Sequence, residues 1–218
     1  MPRIVFEKTG NAVWISHLDL MRLFQRAFKR AGLPLKHTQG FNPRPSVSIA
    51  LPLSVGVESH CELLDFELDT AEIVSCGQIV SRLNDALTDG VNVLECYDNG
   101  GKIRDLAYLR CKLMLEYDSG CGDADQVISR MLAGETLIVP KRTKNGIQDQ
   151  DIIPMIKSWE VTAEEKLITL DVVVCCQNPS LNPMQIVEAI RSYHSEKVPD
   201  FVKCCRISLL DRQGAKFK

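Results

Sequence analysis

No stretch of this chain approaches the roughly 18 to 20 uninterrupted apolar residues that a membrane-crossing helix needs, and the start, MPRIVFEKTG, has no apolar run behind its arginine. No membrane partner is expected, and the chain reads as cytoplasmic. The motifs GxxxxGKS/T, GxGxxG, HExxH and GxSxG are missing, which removes the common phosphate loops, dinucleotide folds, zinc proteases and nucleophile elbows. There is no CxxC, nor the CxxxCxxC that holds the cluster of a radical S-adenosylmethionine enzyme. Aromatics are scarce, 13 Phe, Trp and Tyr in 218 residues, and no Lys/Arg-Gly-Phe/Tyr run occurs. An RNA reader of the usual sheet-face kind is therefore disfavoured.

Cysteine is present instead, and in odd number. Cys61, Cys76, Cys96, Cys111, Cys121, Cys175, Cys176, Cys204 and Cys205 are scattered through apolar segments, as small hydrophobes of a reducing compartment are. The neighbours Cys175/Cys176 and Cys204/Cys205 would point to opposite faces of a strand, so they cannot readily chelate together. No metal and no cofactor is expected.

With 45% apolar residues and 25% charge, the chain reads as globular and allows one large domain or two of about 100 residues. Its net charge is only −2, but the distribution is uneven. Residues 1–60 carry eight Lys/Arg against three Asp/Glu, residues 61–100 one against nine, and the remainder seventeen against sixteen. The basic part suits phosphate, and the acidic part would repel it and orient the ligand.

Periodicity then supplies the elements. Arg3 to Lys8 alternates as a strand. Ser16 caps a helix that ends at Gly32, with Pro34 beyond. Ser46–Ala50 and Glu62–Leu68 read as strands, Glu72–Leu87 as a helix and Val91–Tyr97 as a returning strand. The second half reads as a strand over Ala107–Tyr117, a helix over Asp123–Ala133, and a hairpin from Leu137–Arg142 through Asn145-Gly146 into Asp151–Ile156. A strand over Lys166–Cys176, a helix over Met184–Tyr193 and a last strand over Lys203–Leu210 follow. The fold class expected is α+β: two tandem ferredoxin-like (β-α-β-β-α-β) domains. The first is a basic domain over residues 1–98. The second covers 106–218 and carries an additional strand.

The first helix and the loop after it hold most of the chemistry. Leu20, Phe24, Ala27, Phe28 and Ala31 form an apolar stripe, while Arg22, Gln25, Arg26, Lys29 and Arg30 lie outside it. The loop HTQGFNPRPS packs two prolines, a glycine, an aromatic and an arginine into ten residues. Pro43 and Pro45 keep Asn42 and Arg44 out of helical conformations, so the Arg44 guanidinium is presented for bidentate phosphate recognition. Phe41 either stacks on a base or fills the core. His37, Gln39 and Asn42 complete the candidate ligands of this loop. The tip Lys141, Arg142 and Lys144 extends the track or is a solvated turn. His17, in the first helical turn, is the candidate general base of a ribonuclease, since a partly positive helix end favours the neutral imidazole. No acid/base partner for it is identifiable from spacing.

These residues also carry a resemblance. SHLDLMRLFQRAFKRAGLPL, QGFNPRPSVSIALPLSVGVES, the strand Glu62–Glu67 and the KRTKNG tip followed by Asp151–Ile153 resemble the radical SAM-associated (radical SAM-linked) domain family of unknown function. Members of that family stand alone or extend a radical SAM protein at its C-terminus, and this chain looks like the stand-alone form. The resemblance implies a radical SAM protein as partner and an association with RNA metabolism, and it implies no settled activity. The function expected is an RNA-binding accessory protein, with tRNA or rRNA as candidate targets, that grips phosphates through the first helix and the GFNPRP loop. A metal-independent ribonuclease using His17 and a protein-protein interaction module are the alternatives. Nothing in the sequence speaks to oligomeric state.

Overall fold

Ile4 and Phe6, Leu64 and Phe66, Val91 and Val93 are three pairs of buried residues two positions apart, the spacing by which a strand turns one face to a core. A computed structural model of the protein describes residues 1–143 and 146–218, with Arg142 and Thr143 described as backbone only. The chain divides into two units, Met1–Ile103 with Lys218, and Arg104–Phe217. Among the described residues it is an α+β protein with four α-helices.

The first unit runs β1 (Arg3–Lys8), α1 (His17–Arg30), β2 (Val47–Ile49), β3 (Glu58–Phe66), α2 (Cys76–Asn84) and β4 (Val91–Tyr97). Its strands pair antiparallel in the order β4-β1-β3-β2, with Ile4 opposite both Leu64 and Cys96. The apolar stripe of α1 closes this core. Phe24 meets Phe6 edge-on at 4.7 Å between ring centroids, and Phe28 meets Phe66 at 4.9 Å. Burying each such ring contributes roughly 1.5–3 kcal/mol.

Residues flanking α1 and α2 set where they start and stop. Lys8, fully buried at the end of β1, donates from Nζ to the Ile15 carbonyl at 3.0 Å, which holds the chain just before the α1 cap. The Gly90 turn is tight: its φ is +81°, and a Cβ there would lie 2.4 Å from the Thr9 carbonyl oxygen, while the Thr9 amide donates to the Gly90 carbonyl at 2.8 Å. Only glycine fits. The sequence places a helix over Glu72–Leu87, but α2 is shorter because Ser75 and Gln78 form a reciprocal capping box. At its other end, Asn84 accepts from the Val93 amide at 2.7 Å and donates to the Val93 carbonyl at 3.0 Å, which ties the helix to β4.

The second unit runs β5 (Leu106–Glu116), α3 (Ala124–Leu132), β6 (Ile138–Thr143), β7 (Gly146–Asp151), β8 (Ile156–Ala163), β9 (Leu167–Cys175), α4 (Met184–Tyr193) and β10 (Phe201–Asp211). Its sheet has the order β10-β5-β9-β8, all antiparallel. Counting only sheet strands, both units therefore follow the order last, first, third, second. The buried residues Leu109, Cys111, Leu113 and Leu115 sit opposite the buried Val174, Val172, Leu170 and Ile168. The hairpin β6-β7 stands apart as its own two-stranded ribbon between α3 and β8.

Two elements here depart from the expected ones. The second arm of the hairpin is Gly146–Asp151, not Asp151–Ile156, where the Ile153–Met155 turn carries Pro154, which lacks an amide for the ladder. A full strand, β8, then follows where the sequence suggested none. Its less exposed residues Ile156, Trp159 and Val161 are spaced three and then two apart, because the register slips between Ile156 and Ser158. A bulge of this kind erases the alternation by which a strand is read. No helix among the described residues is long and apolar enough to cross a membrane.

Candidate nucleic-acid interface

The helix α1 begins where Ser16 Oγ accepts from the Asp19 amide at 3.2 Å. The Ser16 hydroxyl also donates to the Asp19 carboxylate at 2.7 Å, and Arg22 pairs with that carboxylate at 2.9 Å. These contacts, the Ser16 hydroxyl first and Arg22 next, hold Asp19 below the usual carboxylate range. Gly32, at φ +66°, follows the C-cap Ala31 and turns the chain toward the loop.

The loop is braced from below. The Ser46 amide donates to the Lys36 carbonyl at 2.7 Å, the Thr38 amide to the Arg44 carbonyl at 2.8 Å, and the Arg44 amide to Thr38 Oγ1 at 3.0 Å. His37 and Pro45 bridge as an isolated antiparallel pair. The segment is thus a narrow ribbon whose tip, Gln39 to Pro43, is exposed. Phe41 is fully exposed there, at 110% of its reference area, so it anchors no core and is available for stacking. Gln39, Asn42 and the Arg44 side chain are exposed as well.

The basic residues of the first sixty do not all remain available. Arg3 is buried and bidentate to Asp65, at 2.6 and 3.1 Å, and Lys8 is buried. Arg22 pairs with Asp19, Lys36 pairs with Glu67 at 3.5 Å, and Arg30 donates to the Ala86 carbonyl. Arg26, Lys29 and Arg44 are left with no ion-pair partner among the described residues. Of the nine acidic residues of 61–100, four are ion-paired within the unit: Asp65 and Glu67 as above, Glu72 with Arg82, and Glu95 with Lys218.

Helix and loop meet in a groove of about 490 Å³ lined by Gln25, Lys29, Gly32, Pro34, Leu35, His37 and Pro45. Of the candidate ligands, Lys29 and His37 come together here. Gln25, which the sequence offered only as an outward residue, joins them, and its signal was its position four residues before Lys29 on the same helical face. His17 lies twelve residues before Lys29, about 18 Å along the helix axis. Its Nδ1 is buried and, among the described residues, has no hydrogen-bond partner. Lys141 is on β6 in the second unit and donates to the Ser180 carbonyl at 3.5 Å. The backbone of Arg142 pairs with Ile147, and Lys144 lies outside the described residues.

All nine cysteines are free thiols, each buried or half-buried. Burial pushes Cys176 up to about 12 and raises Cys96 as well, so neither is a thiolate at neutral pH. Among the described residues no three His, Cys, Asp or Glu stand close enough to hold a metal ion.

Fold and surface together define an α+β protein that presents cations and an aromatic ring on a braced loop beside a basic helix. The chain belongs to the family described as "Uncharacterized protein conserved in bacteria (DUF2344)", whose model matches residues 2–183. No curated protein matches it. Among solved structures, a chain of a Cbf5-Nop10-Gar1 complex is 12% identical over 95% of this chain, with a TM-score of 0.53. At that identity the likeness is one of fold, and this chain spans about half of the other's length, 48%. An unknown protein from Galdieria sulphuraria is 13% identical over 94% of this chain and 96% of its own, with a TM-score of 0.26, too low to indicate a shared fold.

Proposed function

We propose that this chain is a cytoplasmic RNA-binding accessory protein made of two ferredoxin-like domains in tandem, over residues 1–98 and 106–218. It grips the phosphate backbone of tRNA or rRNA through α1 and the GFNPRP loop, beside a radical SAM protein. The domain assignment is supported by the β-α-β-β-α-β element order and by the strand order common to both units. The radical SAM partner rests on the sequence resemblance alone.

The observation that carries the RNA reading is the set Arg26, Lys29 and Arg44, cations in no ion pair among the described residues, on one helix and on the braced loop that follows it. Phosphate is the complement of such a set, and three contacts with a single strand would lower log K by about 2 per decade of salt. Phe41, standing in solvent on the same loop as Arg44, supplies a face on which a base stacks without sequence preference. His37 and Gln25 in the groove, with Gln39 and Asn42 on the loop, supply hydrogen bonds. The reading gives His17 no chemical step, since it sits at the far end of α1 from the groove.

The test is a titration of fluorescent single-stranded and transfer RNA at 50 and 200 mM salt. We expect roughly a tenfold loss of affinity between the two. Binding indifferent to salt, or unchanged in the Arg26→Glu/Arg44→Glu variant, would sink the reading.

A further inference from the structure

The second unit has a balanced sequence, yet three of its cations converge on one cavity. Arg104, just before β5, Lys157 on β8 and Arg212, just after β10, line a pocket of about 460 Å³ together with Tyr108 of β5, Cys175 of β9 and Asn178 of the loop that follows. The convergence follows from topology. In an antiparallel sheet ordered β10-β5-β9-β8, the starts of β5 and β8 and the ends of β9 and β10 fall at one end of the strands. The register places Tyr108 opposite both Cys175 and Leu210, and Ile156 opposite Val174.

Arg104 and Arg212 have no ion pair or hydrogen bond among the described residues. Lys157 holds its ammonium 5.4 Å from the centroid of the Tyr108 ring. Among the described residues, none that lines the pocket carries a carboxylate. Asp211, next to Arg212, turns its Oδ1 back to accept from the Gln213 and Ala215 amides, each at 2.9 Å. Three like charges around one concavity repel one another, and a concave low-dielectric wall strengthens their field. The natural complement is a multiply charged anion, and two guanidinium forks favour phosphate geometry. The volume lies within the range of small-molecule sites, roughly 300–1,000 Å³, in which an apolar or aromatic wall and a few convergent polar groups set orientation. It exceeds what a bare phosphate fills. Tyr108, half-buried, provides that wall, and the exposed Asn178 amide provides both a donor and an acceptor.

We propose that this pocket binds a nucleoside phosphate, with the phosphate on Arg104, Lys157 and Arg212 and the base against Tyr108 near Asn178. The site shares no residue with the α1 and loop surface and does not depend on the RNA reading. The phosphate belongs to a free nucleotide or to the terminus of an RNA strand.

The test is calorimetric titration of the full chain with each nucleoside 5′-monophosphate, the matching nucleosides and inorganic phosphate. A 5′-phosphorylated and a 5′-hydroxyl oligonucleotide then serve as competitors of the bound mononucleotide. At least one monophosphate should bind ten times tighter than both its nucleoside and inorganic phosphate. Arg104→Ala/Arg212→Ala should lose at least tenfold with an unchanged thermal melt, and Arg26→Glu/Arg44→Glu should lose nothing. Should the double alanine variant melt early, Arg212→Ala alone is read for the same loss. Competition by the phosphorylated oligonucleotide alone supports the RNA terminus as source, and no competition by either supports the free nucleotide. Absence of monophosphate binding, nucleoside or inorganic phosphate binding as tightly as the monophosphate, or full affinity in the arginine variants overturns the proposal.

Discussion

The first sixty residues hold eight Lys/Arg, yet among the described residues only Arg26, Lys29 and Arg44 keep a charged group outside any ion pair or hydrogen bond, and they lie on a helix flank and an open ribbon. The second unit is nearly neutral in sequence, yet it gathers Arg104, Lys157 and Arg212 into one cavity with no lining carboxylate among the described residues. Charge along a chain measures what the fold has to dispose of, and pairing and placement decide what is left to act. The shapes differ in consequence. An open ribbon with an exposed ring suits a polymer, whose affinity comes from many weak, screened contacts. A pocket of about 460 Å³ suits a small ligand held from several sides.

The strongest way to break this contrast is to remove the support of the open surface. Phe24→Ala empties the contact with Phe6 and should lower stability by about 3–5 kcal/mol, read by denaturant melting, with RNA binding lost in parallel because α1 is no longer seated. A melt that does not move would mean that the helix is held by something other than its aromatic stripe. Next comes the charge itself. Arg26→Glu/Arg44→Glu should weaken RNA binding more than tenfold, above about 1.4 kcal/mol, and flatten the salt dependence, while the melt stays put.

Phe41→Ala should cost about 1 kcal/mol of RNA affinity, the low end for one stacked base, at no loss of stability, since the ring touches no core. A drop in stability would contradict its exposure. Arg22→Ala separates availability from proximity. Its guanidinium already pairs with Asp19, so RNA affinity should stay within about twofold of wild type, as for an exposed pair worth under about 1 kcal/mol. A loss as large as that of the double reversal would show that pairing does not withdraw a cation from the surface.

The smallest effect is one of pH. Asp19 has a folded-state pKa below its ordinary value of 3.8, so the stability it lends α1 is present above that value and is lost as pH falls through the lower one. The helical signal of the wild type should therefore decline more than that of Asp19→Asn on acidification below 3.8, by a small amount because the group is exposed. Equal acid profiles would remove the cap from the account.

Much of the fold was legible where the information is local. The strand over Arg3–Lys8, the cap at Ser16, the strand over Val91–Tyr97 and the helix over Met184–Tyr193 each follow from alternation or capping within a dozen residues, and each appears with those bounds. The strand β8 was not legible, because Pro154 broke the segment before it and a register slip spoiled its alternation. Within the interface, the stiffness of the loop could be read from Pro43 and Pro45. The partner of Arg30 could not, since the Ala86 carbonyl is 56 residues away. Nor could the groove be foreseen, which needs Gln25, Lys29 and His37 around one space.

The sequence by itself determined the composition of the surface: a helix with an apolar stripe and a cationic flank, a proline-stiffened loop, and no motif for metal or nucleotide chemistry. Short-range sterics and periodicity are sufficient for that. Only the tertiary structure decided which cations remain unpaired, that Phe41 stands in solvent, and that Arg104, Lys157 and Arg212 meet at one end of a sheet's strands. Those outcomes depend on strand order and on pairs tens of residues apart, which no local pattern encodes.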